Sequence, residues 1–409
     1  MVQIDTGRFR ETFETYSRIG ATENGGLHRL TLSAADKRVR DQFVEDLEAL
    51  DLSVRVDQIG NVFGRREGTN PDADPVLIGS HLDSQPYGGR FDGQLGVLAA
   101  LETVRALDDD GVQTERPIEI VNWTNEEGSR FPNALLGSSV FAGATALETA
   151  LALTDDEGTT VREALEAIGY DGDHPAEPFD IHSHLELHIE QGPYLEEHGN
   201  TLGVVEGVYG MAWLQVTITG DSDHAGPTPM HTRSDAMAAA ADAVSEINRL
   251  PNRLSADAVT TVGEFGVEPG SINVVPDTAT FTVDVRSYDD AVVEEAVSQV
   301  REAVEHACSL HDTSAAVEEL WSIEASAFDP GIRDRIEAVA ERQGIAHERL
   351  PSGAAHDAKH INEIAPTAML FVPSVDGITH NEAECTEWED CVAVTNCYAE
   401  VTTELANES

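Results

Sequence analysis

The sequence has few cysteines and no long apolar run. Its four cysteines, Cys308, Cys385, Cys391 and Cys397, contain no CxxC pair, which favours reduced thiols over a disulfide framework or a cysteine zinc site. No stretch of about 18 or more apolar residues occurs, and the first residues lack the basic and then apolar order of a signal peptide. We therefore expect no membrane span and a cytoplasmic location.

Positive charge is also scarce. Only 25 lysines and arginines accompany 75 aspartates and glutamates, which gives a net charge of −50, and Lys37 and Lys359 are the only lysines. The carboxylates are spread along the whole chain, which favours a folded protein with an acidic surface over an acidic tail or a disordered chain. Salt near 1 M reduces the Debye length to about 3 Å and screens such repulsion, so we predict a halophilic protein. Nucleic acid is not expected as a partner, because no basic patch is available for phosphates.

The hydrophobic pattern predicts more than one core in a chain of 409 residues. A helical period covers residues 7–50, and strand-like apolar runs then alternate with helical segments, which indicates an α/β fold with a mainly parallel central sheet flanked by helices. Residues 210–325 combine strands and two helices in an α+β sandwich pattern. We predict a catalytic domain in two parts, 1–209 and 326–409, with an inserted domain at 210–325.

One predicted strand, 184–190, has polar side chains on one face and apolar side chains on the other. An inner strand with a polar face is expected to line a functional site. The polar residues are His184, Glu186, His188 and Glu190.

Candidate metal ligands follow buried strands or lie in glycine-rich turns. Imidazoles and carboxylates at the carboxyl ends of several strands are what a zinc or manganese site requires. In a chain with 75 acidic residues and 15 histidines, any one of them alone is more often a surface residue, so the shared placement carries the argument. The candidates are His81, Asp83, Asp92, Glu126, Glu127, His188 and His380.

The residue types suggest how these groups divide their roles. Asp92, on a glycine-rich loop, is free to project between two ions and bridge them. Asp83 suits an outer position that holds the second nitrogen of His81. Adjacent glutamates on a regular strand cannot both face one ion, so we expect one of Glu126 and Glu127 to be a ligand. The other would act as general base on a metal-activated water.

Successive motifs along the chain make the interpretation more specific. They are GSHLDSQPYGGRFDGQLGVLAALE, TNEEGSRF, GSSVFAG, LELHIEQGP, HAGPTPM, GSINVVPD, SGAAHDA and DGITHNEAE. Together they resemble the signatures of the amidase/hydantoinase/carbamoylase branch of the M20 metallopeptidase-like hydrolases. The branch includes N-carbamoyl-L-amino-acid hydrolases, β-ureidopropionases and allantoate amidohydrolases. The resemblance extends from about residue 8 to residue 400 and is specific for the branch rather than for one substrate.

The resemblance implies a dinuclear metal site with two divalent ions per subunit. Zn²⁺ is the expected metal, with Mn²⁺, Co²⁺ or Ni²⁺ as alternatives. A histidine at position 188 favours this branch, because other M20 peptidases usually have a carboxylate there. The implied roles are His81, Asp92 and His188 on one ion, Asp92, Glu127 and His380 on the other, Glu126 as general base, and Asp83 orienting His81.

The resemblance also implies that residues 210–325 form a lid that makes a homodimer. In the lid, Arg286 would bind a substrate carboxylate with its guanidinium fork, Asn273 would add a donor, and His224 would donate to the developing oxyanion. Gln191 would contact the substrate from the catalytic domain. Whether the lid residues act in their own subunit or in the partner's stays open at this stage.

A few further positions have less specific expectations. His356 and Asp357, in SGAAHDA, are expected to support the site without a defined role. Pro227 and the pair Lys359–His360 depart from the residues expected there, which bears on lid detail and helix packing rather than on the ligands. The remaining histidines considered, His182, His184, His231 and His360, are expected to be packing or surface residues.

The favoured activity is hydrolysis of the linear C–N amide bond of a ureido substrate. An N-carbamoyl-L-amino acid would give the free amino acid, carbon dioxide and ammonia. Allantoate amidohydrolase and β-ureidopropionase are close alternatives, followed by an M20-type aminoacylase or dipeptidase. A metal-stabilised dimer without turnover is the alternative from a different class, and it would not need Glu126.

Overall fold

The computed structural model describes residues 2–408. The chain divides into two compact units. One contains the residues up to Gly207 and those from Phe328 onward, and the other is Val208–Ala327. The sequence placed the inserted domain at 210–325; the outer limits of the predicted catalytic domain, residues 1 and 409, lie outside the described residues.

Two short 3₁₀ turns, Met230–Thr232 and Val375–Gly377, accompany the α-helices. The α-helices are α1 (Thr6–Ser17), α2 (Ala34–Glu48), α3 (Gln94–Asp109), α4 (Leu136–Phe141), α5 (Leu147–Leu151), α6 (Val161–Ile168), α7 (Tyr194–His198), α8 (Ala236–Ile247), α9 (Pro251–Leu254), α10 (Asp290–His311), α11 (Pro330–Gln343), α12 (Ala358–Ile361) and α13 (Trp388–Leu405).

The strands form two main sheets and one small two-stranded antiparallel sheet. They are β1 (Ser53–Val56), β2 (Val62–Arg66), β3 (Val76–His81), β4 (Ile118–Trp123), β5 (Ser183–Ile189), β6 (Leu202–Val208), β7 (Gly210–Thr219), β8 (Asp223–His224), β9 (Val259–Thr261), β10 (Phe265–Glu268), β11 (Val274–Val275), β12 (Thr278–Ser287), β13 (Ser314–Ile323), β14 (Ser326–Ala327), β15 (His347–Ser352) and β16 (Thr367–Val372).

The first unit is built on a sheet in the order β1-β2-β4-β3-β5-β16-β6, with β15 also paired to β6. The inner strands β4, β3, β5 and β16 are parallel, whereas β1, β2 and β6 run antiparallel to their neighbours. Every residue of β3, β4, β5 and β16 is buried, as strands covered by helices on both faces require. The predicted α/β fold with a mainly parallel central sheet is confirmed.

Helix α3 positions the loop that precedes it. Nearly all of its residues are buried, and Gly96 lets the helix lie directly on β5, because a Cβ at Gly96 would be only 2.2 Å from the carbonyl oxygen of Leu187. The helix begins at the carboxyl ends of the parallel strands. The preceding loop, which contains Asp92, is thereby held at that edge of the sheet.

The prediction of one helical segment over residues 7–50 was wrong in one respect. The structure has two helices there, α1 and α2, with an irregular segment between them. Gly20 and Gly25 adopt φ angles of +82° and +92°, and Ala21 pairs with Leu27 in an isolated β-bridge. The apolar spacing that predicted the helix lies within the two helices, and the glycines between them, in the left-handed region, end a helix.

The second unit has an antiparallel sheet in the order β10-β12-β7-β13, with β9 also paired to β12. Helices α8 and α10 cover one face, and their alanines and valines pack on the buried residues of β7 and β12. Along β12, buried and half-buried residues alternate, as expected for a sheet with one covered face. Strand β13 lies at the edge. Among residues 2–408, no helix combines the length and apolarity that crossing a bilayer requires.

Candidate metal centre

The candidate ligands of the first unit lie at the carboxyl edge of its parallel strands. His81 is the last residue of β3, and His188 is the next-to-last residue of β5. Glu126 and Glu127 follow β4, and His380 lies on the loop after β16. The carboxyl ends of parallel strands meet at one edge, so these separate segments deliver their side chains to one place.

Asp92 contacts three of the histidines. Its Oδ1 is 3.0 Å from Nε2 of His188 and 3.7 Å from Nε2 of His81, and its Oδ2 is 3.3 Å from Nε2 of His380. The next residue, Gly93, has a φ of +63°, and a Cβ there would be 2.3 Å from the His81 ring. Glycine at this position therefore lets the Asp92 loop approach the imidazole.

Two overlapping ligand sets result. Ligand atoms of His81, Asp92 and His188 lie within 4.8 Å of one another, and so do those of Asp92, Glu127 and His380. Nε2 of His81 is buried and has no hydrogen-bond partner among residues 2–408, an arrangement that is unfavourable unless a cation binds it. Imidazoles combined with carboxylates are a suitable donor set for zinc and related divalent ions. The residues therefore fit divalent metal ions, and Asp92 is common to both sets.

The protonation of the cluster reflects burial and mutual contacts. Burial lowers the pKa of His81 to about 4, despite the neighbouring charge of Asp92. Burial also opposes a charged His188, but the hydrogen bond and charge of Asp92 outweigh it and raise the pKa of His188 to about 9. Burial opposes ionisation of Asp92 too, yet hydrogen bonds from His188 and His380 hold its pKa well below the usual range. In the ion-free protein, a proton on His188 thus occupies a position that suits a cation.

The adjacent glutamates have different surroundings. Oε2 of Glu126 is 3.5 Å from Nε2 of His81, and its pKa is raised well above the usual range by burial and then by the charges of Glu127 and Asp357. The carboxylate of Glu127 is 3.5 Å from Nε2 of His380 and accepts hydrogen bonds from the backbone and side-chain N–H groups of Gln85 at 3.1 and 2.8 Å. Burial and neighbouring charges raise the pKa of Glu127 as well, so the two glutamates differ in their contacts: Glu127 is oriented by Gln85, and Glu126 lies beside His81.

Asp83 contacts both His81 and the turn that bears Glu126 and Glu127. Its backbone carbonyl is 3.1 Å from Nδ1 of His81, whereas its carboxylate is 3.8 Å from the same nitrogen. The carboxylate instead accepts long hydrogen bonds, 3.4 Å each, from the backbone N–H groups of Glu126 and Glu127. The closest contact to the imidazole thus comes from the main chain of Asp83, and its side chain contacts the turn that bears the two glutamates.

Gln191 lies directly after β5 with a φ of +61°. Its Nε2 donates to Oδ2 of Asp92 at 3.0 Å and to Oγ1 of Thr379 at 3.2 Å. Gln191, which the sequence predicts to contact substrate, therefore lies beside Asp92 at the centre of the ligand cluster. Sequence reasoning missed Gln85, Thr379 and Glu384, although Thr379 and Glu384 belong to the DGITHNEAE motif and that position was the available signal.

A layer of buried polar residues lies against these ligands. Glu186 accepts hydrogen bonds from Oγ of Ser80 at 2.7 Å and from the backbone N–H of Ala358 at 3.1 Å. Asp357 accepts a hydrogen bond from Oγ of Ser138. The His356 ring centroid is 4.5 Å from that of His188. These contacts join strands β3 and β5 to the SGAAHDA and GSSVFAG segments.

The other histidines considered have varied surroundings. Those expected to be packing or surface residues are His182 (half-buried), His184 (fully buried), His231 (exposed) and His360 (half-buried). Lys359 is also buried, at 4% exposure, although a lysine at a helix end would ordinarily be solvated.

The predicted lid residues all lie in the second unit. His224 and Asn273 are exposed and meet at a small antiparallel sheet formed by β8 and β11, where the Ala225 N–H donates to the backbone carbonyl of Asn273 at 3.1 Å. Arg286 is half-buried on β12, and its Nε and Nη2 contact the carboxylate of Asp284 at 3.1 and 2.8 Å. The fork of Arg286 therefore already binds one carboxylate of its own strand.

Comparison with known proteins places this geometry in context. Residues 77–404 match the model of peptidase family M20/M25/M40. The N-carbamoyl-L-amino-acid amidohydrolase of Rhizobium meliloti is 40% identical over 382 residues, covering 93% of this chain and 92% of that protein. The allantoate amidohydrolase of Escherichia coli strain K12 is 34% identical over 382 residues, covering 93% of each chain. The crystal structure of an amidase of the hydantoinase/carbamoylase family from Burkholderia multivorans matches with a TM-score of 0.95 at 44% identity, covering 100% of this chain and 99% of that one.

Proposed function

The chain belongs to the M20 metallopeptidase-like family, in its amidase/hydantoinase/carbamoylase branch, and from that membership we propose that it hydrolyses N-carbamoyl-L-amino acids. The family supports an amidohydrolase that acts on a non-peptide C–N bond of a ureido compound. The observation that carries the proposal is the pair of ligand sets that share Asp92, with Glu126 3.5 Å from His81.

The proposed centre holds two divalent ions, with His81, Asp92 and His188 on one and Asp92, Glu127 and His380 on the other. Zinc is the expected metal because the donors are imidazoles and carboxylates, and manganese, cobalt and nickel accept similar donors. When bound, such ions polarise a carbonyl oxygen and acidify water. The unpartnered Nε2 of His81 supports this assignment.

Glu126 is the proposed general base. Its buried carboxyl group lies beside His81, and burial together with the neighbouring carboxylates raises its pKa, so it holds a proton more readily than a solvated glutamate. A group of this kind takes a proton from the attacking water and delivers it to the leaving nitrogen. The backbone N–H groups of Glu126 and Glu127 donate to Asp83, which helps to fix the turn that bears both side chains.

Substrate orientation is assigned to residues of both units. Arg286 would bind the α-carboxylate through its planar fork, in competition with Asp284, and Asn273 would add a donor. His224 would donate to the oxyanion as the carbonyl becomes tetrahedral. Gln191, which already contacts Asp92, would contact the ureido group.

A homodimer through the second unit is part of the proposal. Strand β13 lies at the edge of its sheet, and Trp321 and Leu320 on it are 43% and 49% exposed. Trp213 of β7 contacts Trp321 with ring centroids 5.3 Å apart and is 44% exposed. An edge strand with exposed aromatic side chains is a surface that a second copy would cover.

Allantoate and β-ureidopropionate are the alternative substrates, because each also carries a carboxylate beside a ureido group. The similarity to an allantoate amidohydrolase favours the first of these. An aminoacylase or dipeptidase activity would use much the same residues.

The test is ammonia release from a panel of substrates in about 1 M salt with added zinc or manganese. The panel contains N-carbamoyl-L-amino acids, allantoate, β-ureidopropionate and N-acetyl amino acids, and free amino acid is assayed in parallel. We expect ammonia and amino acid in equal amounts from the N-carbamoyl-L-amino acids, and loss of both with a chelator. Preference for allantoate, or turnover that persists after complete metal removal, would contradict the proposal.

A further inference from the structure

Glu384 is a buried carboxylate for which the proposed reaction assigns no role. It is 5% exposed and lies on the loop between β16 and α13. Its Oε1 accepts hydrogen bonds from the backbone N–H groups of Phe91 and Asp92 at 2.9 and 3.1 Å. A buried carboxylate that accepts two backbone hydrogen bonds fixes the segment that donates them. If that segment moved, its N–H groups would lose their acceptor, and no water is available to take the place of the carboxylate.

The second oxygen of Glu384 contacts a different ligand loop. Oγ1 of Thr379 donates to Oε2 of Glu384 at 3.3 Å, and Thr379 directly precedes His380. The same hydroxyl oxygen lies 3.2 Å from Nε2 of Gln191, which in turn donates to Asp92. A single side chain thus joins the loop of Asp92 to the loop of His380.

The chain leaves room for this carboxylate at one specific position. A Cβ at Gly89 would lie 1.9 Å from the carboxyl carbon of Glu384. Gly89 is three residues before Asp92 in the same loop. Any larger residue at 89 would displace the carboxylate from the N–H groups that it binds.

The ligands differ in how much they need such support. His81 and His188 belong to fully buried strands and are each 1% exposed. His380 lies on a loop, its side chain is 48% exposed, and its φ is +52°, in the left-handed region. The Asp92–Glu127–His380 set is therefore the one whose geometry depends on contacts between loops.

We propose that Glu384 is a positioning residue that sets the distance between Asp92 and His380. It would thereby set the affinity of the second metal position, which is the one formed by Asp92, Glu127 and His380; the first is formed by His81, Asp92 and His188. This role rests on the proposed dinuclear centre. Glu384 would not touch substrate or metal; it would act through the main chain of Asp92 and the hydroxyl of Thr379. Loss of partners that orient metal ligands typically costs about 10- to 100-fold in metal affinity.

The test measures metal binding rather than turnover. Apo protein is titrated with Zn²⁺ against a chromophoric chelator, and the bound metal is counted after gel filtration. We expect Glu384→Ala to weaken the second ion by about 10- to 100-fold and the first ion by clearly less. Gly89→Ala, which leaves Glu384 intact but displaces it, should weaken the second ion in the same way.

Three further variants separate the position of the Glu384 side chain from its charge. Glu384→Gln keeps an acceptor for both N–H groups and should retain most of the affinity. Thr379→Val should weaken the second ion, and Thr379→Ser, which keeps the hydroxyl, should restore it. The matched control is Asp57→Ala, since Asp57 is 2% exposed and accepts backbone N–H bonds from Ile59 and Asn61 in the β1–β2 turn, without contacting a ligand loop. It should leave both zinc affinities unchanged.

The possible failures are distinguishable. If the wild-type protein binds two zinc ions and neither Glu384→Ala nor Gly89→Ala weakens the second, the role of Glu384 is overturned while the dinuclear centre stands. Equal weakening of both ions, or an equal effect of Asp57→Ala, would indicate general structural support and overturn it as well. A wild-type protein that binds only one ion would overturn the dinuclear centre and the role of Glu384 together.

Discussion

In the first unit, three of the candidate ligands are enclosed: His81 and His188 are 1% exposed and Asp92 is 4% exposed. In the second unit, His224 and Asn273 are exposed and Arg286 is half-buried beside Asp284. The first group is held by strands and by hydrogen bonds to other ligands. The second group lies on a small two-stranded sheet and on one face of a larger sheet.

This difference indicates two kinds of contribution. Buried ligands at strand ends are preorganised and need little rearrangement to bind a cation. In the proposed function, the exposed donors of the second unit would contribute only once a bound substrate contacts them. Variants in the first unit should therefore affect the chemical step or metal binding, and variants in the second unit should mainly affect substrate affinity.

The largest expected effect is that of Glu126→Gln in the first unit. Without the general base, turnover should fall by at least about 10²-fold, with metal content unchanged because Glu126 is not a proposed ligand. Steady-state kinetics and metal analysis of the same preparation check this. Glu11→Gln, on the exposed face of α1, is the matched control. Unchanged turnover in Glu126→Gln would show that another group is the base.

A smaller effect is expected for Arg286→Ala in the second unit. Loss of a charge-assisted hydrogen bond of about 1.5–3 kcal/mol should raise KM for a carboxylate substrate by about 10- to 100-fold, with a smaller change in kcat. Arg286→Lys should not restore it, since an ammonium lacks the planar fork. The comparison is made with the same substrate carrying an amide in place of its carboxylate, for which the variant should differ little from the wild type.

Asp284→Asn sharpens this second prediction. Asp284 occupies the Arg286 fork, so neutralising it should leave KM unchanged or lower it. A KM that rises as much in Asp284→Asn as in Arg286→Ala would mean that the pair has a structural role. Arg286 would then lose its assignment as the carboxylate site.

The smallest expected effect concerns pH and the first unit alone. His188 has a pKa of about 9 in the ion-free protein, so it carries a proton at pH 7 that a metal ion must displace. Binding should therefore release protons, and zinc affinity should rise with pH between about 6 and 9, by at most about 10-fold per pH unit for one proton. Calorimetry in buffers of different ionisation enthalpy measures the protons released. Heats that do not depend on the buffer would argue against a displaced proton.

Several parts of the fold and of the site were predictable from short-range pattern. The alternation in 184–190 indicated a polar strand face, and His184, Glu186 and His188 are all buried on β5. The positions of His81, Asp92, Glu127, His188 and His380 after strands or in glycine-rich turns predicted that they would meet. They do so because parallel strands present their carboxyl ends at one edge. The halophilic character inferred from the net charge of −50 stays a prediction.

Other features depend on contacts between distant segments. The break between α1 and α2 had a local signal in Asn24-Gly25-Gly26, which the prediction of one helical segment overlooked, whereas the pairing of Leu27 with Gly88 depends on tertiary structure. Glu384 is one of 75 acidic residues, and although it lies in the DGITHNEAE motif, its burial depends on partners elsewhere in the chain. Its partners Phe91 and Asp92 are almost 300 positions away.

The sequence alone determined the family, the α/β fold and the set of side chains able to bind metal, because these follow from motif order, hydrophobic period and residue chemistry. The tertiary structure decided how those side chains are held. It brought the main chain of Asp83 to His81, the carboxylate of Asp284 to Arg286 and the carboxylate of Glu384 to the Asp92 loop. The contacts of Asp83 and Asp284 are short-range, and their geometry depends on backbone conformation. The contact of Glu384 with the Asp92 loop joins residues that are far apart in sequence. Only packing around the central sheet creates the low-solvent environment in which they fix a position or shift a pKa.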